Sequence, residues 1–117
     1  MSKTTHAAFL AILLAAAAGT AGANEDAGTE AAFKQKLAAC GACHGANGDK
    51  PLAPDYPILA GQSADYLAAA LRHYRDGRRN NAIMGAQIQA LQLTEQDIVQ
   101  LGEYFAQQKS PLATLQN

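Results

Sequence analysis

From residue 29 onward, the apolar positions recur at helical spacing, and no stretch alternates in the two-residue rhythm of a strand. Phe33, Leu37 and Cys40 fall at i, i+4 and i+7 and share one face of a first helix. Thr29 is its expected N-cap, Glu30 suits the positive end of the helix dipole, and residues 24–28 are expected to fray. Residues 45–62 break the period with three prolines and several glycines. Leu52, Tyr56, Ile58 and Leu59 in this stretch call for burial, which predicts a structured loop; loops of this length usually serve a function. Ser63 caps a second helix whose Tyr66, Leu67, Ala70, Leu71 and Tyr74 keep a 3.6-residue period, and Gly77 fits its stop position. Residues 78–84 read as a polar loop ending in Met84, and residues 86–91 as a short helix. Thr94-Glu95-Gln96-Asp97 resembles a capping box with Asp in place of the usual Glu. It opens a last helix with Ile98, Leu101 and Phe105 on one face and Tyr104 beside them. The expected fold is all-α.

The first 23 residues follow a different pattern. Lys3 precedes an unbroken apolar run from Ala7 to Ala18, and Ala21-Gly22-Ala23 offers a small-x-small cleavage site. A run of 12 residues is short against the roughly 20 needed to span a bilayer, so an export signal is favoured over an anchor. The expectation is a signal peptide over 1–23, cleaved near Ala23, and a single domain over 24–117 in an oxidising space such as the periplasm. No second apolar run follows, so stable membrane insertion is not expected.

Composition sharpens the reading. The 94 residues from 24 onward contain 18 alanines but only 17 Leu, Ile, Val and Phe, so the core is thin for a domain of this size. Eight basic and ten acidic residues leave this part slightly acidic, which excludes a basic nucleic-acid binder. Two cysteines exclude a disulfide-rich scaffold, and one Val and three Thr argue against a β-rich fold.

Cys40-Gly41-Ala42-Cys43-His44 carries the chemistry. C-x-x-C-H is the attachment pattern of a c-type haem: two thiols at a helix end can each add to one vinyl group, and the next residue offers an imidazole to the iron. Three other readings compete. A thioredoxin-like site needs a βαβ pattern, absent here; zinc needs four ligands, and beyond these three only His73 remains among the usual nitrogen and sulfur donors of zinc. A structural disulfide would close a small, strained ring. A covalently held haem fits best, because its large apolar body would supply the missing core. His44 is then the proximal ligand, and Met84 and His73 are the candidates for the opposite position.

CGACHG, PILAGQ, YLAAAL, DGRRN, the downstream Met84 and LTEQDIVQLGEYFA together resemble the class I cytochromes c, especially the small bacterial c-four and c-five type often labelled c-553. The resemblance runs from about Phe33 to Gln107. The c-four type usually carries two such domains in tandem and the c-five type often an extra cysteine pair; this chain has one motif and no such pair. The resemblance implies three to four helices around one haem c and its iron, with the first and last helices crossing. Phe33 and Leu37 would then meet Leu101, Tyr104 and Phe105, with Gly41 or Gly102 permitting close approach. It further implies Cys40 and Cys43 as thioether sites, His44 and Met84 as axial ligands, and the Pro57 carbonyl as acceptor for the proximal imidazole. Leu59, Leu67, Leu71 and Ile83 are expected to wall the pocket with Tyr66; Arg78, Tyr66 and Gln62 are expected near the haem propionates.

The function implied is that of a periplasmic one-electron carrier with no substrate chemistry of its own, a monomer or weak dimer exchanging electrons with periplasmic redox proteins. The alternative is the cytochrome subunit of a periplasmic dehydrogenase or oxidase complex; a peroxidase or gas sensor would require that Met84 not bind. Arg72, Arg75, Arg78 and Arg79 lie within eight residues, with only Asp76 offsetting them locally in the sequence. They are either a solvated helix end or a docking surface for an acidic redox partner.

Overall fold

A computed structural model describes residues 22–112, with side chains from Thr29 on. The apolar run Ala7–Ala18 lies outside the described residues, so the export signal remains an expectation of the sequence. Four helices make up the described chain: α1 Gly22–His44, α2 Ala64–Arg75, α3 Ala82–Leu91 and α4 Glu95–Ala106. None of the described residues forms a strand, and no helix among them is long and apolar enough to cross a membrane.

Two helix starts differ from expectation. α1 runs through residues 24–28 rather than fraying there, so Thr29 lies inside it. A cap residue starts a helix only where the preceding residues cannot extend it, and the alanine-bearing stretch from Ala23 to Ala27 can. α3 begins at Ala82, four residues before the predicted start, which puts Met84 in its first turn and not at the end of a loop. The reason is Asn81: it has extended backbone, and its side chain accepts a hydrogen bond from the Met84 N–H at 2.9 Å, as an N-cap does.

The other boundaries follow the predicted chemistry. The Ser63 hydroxyl accepts from the Tyr66 N–H at the start of α2, and Gly77 lies beyond its end in the left-handed region. Thr94 and Asp97 form a full capping box: the Asp97 N–H donates to the Thr94 hydroxyl at 3.2 Å, and the Thr94 N–H donates to the Asp97 carboxylate at 2.8 Å. α3 passes into α4 through Gln92, whose backbone is left-handed, and the buried Leu93.

The core joins Leu67 and Ala68 of α2, Ile88 of α3, Leu93, and Ile98, Leu101 and Phe105 of α4; Ile98 and Leu101 are fully enclosed. Phe33, Leu37 and Cys40 of α1 pack against this cluster. Lys36 ties α1 to the start of α4 through the Asp97 carboxylate at 2.6 Å. The two glycines expected to bring the first and last helices together serve other contacts. A Cβ on Gly102 would lie 2.8 Å from the Ala64 carbonyl, so its bareness lets α4 approach α2. A Cβ on Gly41 would meet Ala46, in the loop that follows α1 itself.

That loop is tightly tied. The Leu52 N–H donates to the Cys43 carbonyl at 2.8 Å, and the Gly48 carbonyl accepts from Leu59 and Ala60. Gly48 has a φ of 73° and is buried; a Cβ there would lie 2.8 Å from the Phe105 ring and 2.9 Å from Leu59. Tyr56, Ile58 and Leu59 are partly buried as expected, but Leu52 is 76% exposed. The backbone bond to Cys43 holds Leu52 in place without burying its side chain.

Candidate functional site

The end of α1, the following loop, α2, α3 and α4 enclose a cavity of about 450 Å³. That lies within the roughly 300–1,000 Å³ common for cofactor sites. Cys40 and Cys43 are one helical turn apart at the end of α1 and line the cavity. Burial, followed by the effect of neighbouring Cys43, pushes the Cys40 thiol up to about 11 against the opposing pull of a backbone hydrogen bond.

His44, the last residue of α1, is buried and lines the same cavity. Its Nδ1 lies 2.9 Å from the Pro57 carbonyl oxygen. A carbonyl can only accept, so Nδ1 carries the proton, and the lone pair is left on Nε2. This is the orientation a metal-ligating imidazole requires, and the second partner holds the ring in it. The Tyr56 ring lies beside the imidazole, with centroids 6.1 Å apart.

Met84 lines the cavity from α3, with Gln87, Ile88 and Leu91 on the same helix. Leu59, Leu67, Leu71, Pro57, Gln62, Tyr66 and Ile83 all contribute to the lining. Ile83 and Tyr66 are half-exposed, so they belong to its rim, whereas Leu67 is buried. The Gln62 side-chain amide donates to the Ile58 carbonyl within the loop. His73 does not line the cavity.

Arg78, expected beside a propionate, is not on the cavity lining either. It is exposed, and its guanidinium pairs with Asp76 at 3.1 Å. Arg79 lines the cavity instead, its guanidinium 5.4 Å from the Tyr74 ring centroid and 5.9 Å from that of Tyr66. The arginine cluster is also less bare than the sequence suggested. Besides Asp76, Glu95 from the start of α4 takes Arg72 and Arg75 together. Hydrogen bonds from these two arginines hold the Glu95 carboxyl below its usual range.

The lining residues missed by sequence reading were mostly within reach. Ile88 and Leu91 stand four and seven residues after Met84, the spacing of one helix face, and become visible once Asn81 is read as a cap. Tyr74 continues the face of Leu67 and Leu71. Asp55 and Tyr56 enter only through the path of the loop, which no periodicity encodes.

The donor set fits a covalent haem on three counts: two thiols one turn apart, an imidazole with its proton directed to a carbonyl, and a largely apolar chamber large enough for a cofactor. An all-α domain with these features belongs to the class of covalent-haem proteins. The family profile described as cytochrome c matches residues 27–109, and the chain belongs to the cytochrome c family. It therefore carries covalently bound haem c with its iron, and Cys40 and Cys43 fit the attachment motif.

Its relatives agree. Over 91 residues the chain is 42% identical to cytochrome c4 of Pseudomonas aeruginosa, covering 78% of this chain and 44% of that protein. Over 86 residues it is 43% identical to cytochrome c-554(548) of Halomonas halodenitrificans, covering 71% of this chain and all of the relative. It is 40% identical over 79 residues to the thiosulfate dehydrogenase electron acceptor of Thiomonas intermedia, covering 68% of this chain and 36% of the relative. The chain thus spans less than half the length of the cytochrome c4 it matches and the full length of the c-554(548).

Proposed function

We propose that the chain is a mono-haem electron carrier of the periplasm, using His44 and Met84 as axial ligands and exported by a signal peptide over residues 1–23. The observation that carries this reading is the 2.9 Å contact between His44 Nδ1 and the Pro57 carbonyl, in a cavity that Met84 also lines. A c-type haem supplies an iron that changes oxidation state by one electron. Cys40 and Cys43 would hold it by thioether bonds, so the cofactor cannot be lost to the surroundings. Pro57 would keep the His44 lone pair on Nε2, where an iron could take it. The soft Met84 thioether favours the reduced iron and raises the potential. With His44 and Met84 both bound to the iron, no position would be left for a substrate or gas, which is the arrangement of a carrier.

The test is a visible and near-infrared spectrum of the oxidised and reduced protein. A low-spin haem with a weak sulfur-to-iron band at the red end is expected in the oxidised form. A high-spin spectrum that binds carbon monoxide without any change of Met84 would refute the ligand assignment. A second reading has a specific observation in its favour. The similarity to an electron acceptor of thiosulfate dehydrogenase supports service as the acceptor or cytochrome subunit of a periplasmic dehydrogenase. Stable co-purification with a catalytic subunit would separate this from a freely diffusing shuttle.

A further inference from the structure

Asn47-Gly48 is the one place in the chain where an asparagine precedes a glycine. The pair has a chemistry of its own. A backbone nitrogen that gives up its proton can attack the side-chain carboxamide of the asparagine before it. A side chain on the attacking residue crowds the five-membered ring that forms, and glycine has none. Asn47 is exposed to water, whereas Gly48 is buried.

The fold engages the parts of Gly48 that the reaction needs. Its N–H, the nucleophile, donates to the Gly45 carbonyl at 2.8 Å and closes a tight turn. Its carbonyl accepts from Leu59 at 2.8 Å and from Ala60 at 3.1 Å. Its φ of 73° lies in the left-handed region, with Phe105 and Leu59 packed close by. Attack requires that the N–H give up its proton and that the Asn47 side chain reach the nitrogen. The first breaks the bond to Gly45, and the second is resisted by a backbone fixed on both sides.

We infer that Asn47 is a latent modification site, closed in the native protein and opened whenever residues 45–62 come apart. Water is the sole co-reactant, and nothing is oxidised or reduced. The Gly48 nitrogen bonds to the Asn47 side-chain carbonyl carbon as the amide nitrogen leaves, taking the Gly48 proton with it as ammonia. Water then opens the cyclic imide. Opening at the side-chain carbonyl gives aspartate. Opening at the main-chain carbonyl gives isoaspartate, whose backbone runs through the side-chain carbon and is one CH2 longer. Aspartate at this position only adds an exposed charge. Isoaspartate displaces Gly48 from its turn and from Leu59 and Ala60, and so loosens the stretch whose Pro57 carbonyl holds His44. Conversion thus marks chains that have stayed open and keeps them from closing again.

The experiment incubates the purified full-length protein in buffer and in concentrated guanidinium chloride, at one neutral pH and temperature. Mass spectrometry of the peptide bearing Asn47 follows the amide-to-acid conversion, and enzymatic methylation identifies isoaspartate. Conversion should be at least about tenfold slower in buffer than in denaturant. Asn47→Gln should leave the peptide unconverted in both. Equal rates would overturn the closed site, and no conversion in denaturant would overturn the site itself. After dilution from denaturant, the unconverted fraction should regain the native unfolding midpoint and the isoaspartate fraction should not. Asn47→Asp should match the wild type. A native midpoint in the isoaspartate fraction, or an equal loss in Asn47→Asp, would overturn the backbone argument.

Discussion

His44 closes a 23-residue helix and is held by a carbonyl from a loop that is itself bound back to the helix end, whereas Met84 sits in the first turn of a ten-residue helix under a single side-chain cap. The loop beneath His44 is anchored through Cys43, Gly48 and the Phe105 carbonyl. α3 is anchored chiefly near its far end, where Ile88 and Leu93 enter the core. One wall of the cavity is thus fixed by many contacts distant in sequence, and the other depends on a local cap. Disturbance of the first should cost the fold; disturbance of the second should cost the ligand.

The largest expected effect is on the histidine side. Cys40→Ala or Cys43→Ala should sharply reduce the yield of haem-bearing protein, and circular dichroism of the haem-free chain should show loss of cooperative unfolding, because the cavity would stand empty in a thin core. Next comes Gly48→Ala. Its left-handed backbone and its 2.8 Å approach to Phe105 should cost about 1–3 kcal/mol in a denaturant titration. On the methionine side, Met84→Ala should leave the fold and the covalent haem in place but abolish the sulfur-to-iron band and admit cyanide. His73→Ala should change neither. A smaller effect is expected of Asn81→Ala, about 1 kcal/mol of local helix stability, read as faster cyanide binding by the oxidised protein with little change in its unfolding midpoint. If this variant unfolds as readily as Gly48→Ala, the contrast between the walls is wrong.

The smallest effect is a pH dependence. Burial raises the Asp97 pKa, but hydrogen bonds from Lys36 and Thr94 outweigh it and bring the carboxyl below its usual range. A carboxyl lowered on folding contributes stability above its unfolded pKa and loses it as pH falls through the folded value. Acid should therefore weaken the tie between α1 and α4, and Asp97→Asn should flatten that part of the stability profile below the ordinary aspartate range.

What the sequence made legible follows from how local each cause is. Ser63 and the Thr94–Asp97 box act over three residues, so the starts of α2 and α4 could be read directly. The Cys40–His44 motif is local too, and the residues expected around it do surround one cavity, Arg78 excepted. Met84 lines that cavity, as its order in the chain suggests, but the start of its helix is hidden because Asn80-Asn81 looks like loop and only one of the two asparagines caps. Arg78 and Arg79 are adjacent and chemically identical, so no pattern could say which faces inward. That choice is made by Tyr66 and Tyr74 on one side and Asp76 on the other. The role of Gly102 was equally hidden, since closeness to Ala64 is a fact of tertiary packing.

The Lys36–Asp97 contact joins residues 61 positions apart, and the Tyr104 hydroxyl reaches the Ala46 carbonyl across 58. Closing so long a loop carries an entropy cost that α2, α3 and α4 do not face when they assemble among themselves. Docking of α1 therefore belongs late in folding. Cys40 is carried on α1, and its thiol becomes buried as α1 packs. The Cys40 sulfur would therefore be most open to thioether formation before α1 docks, and would be shielded from the surroundings once it has.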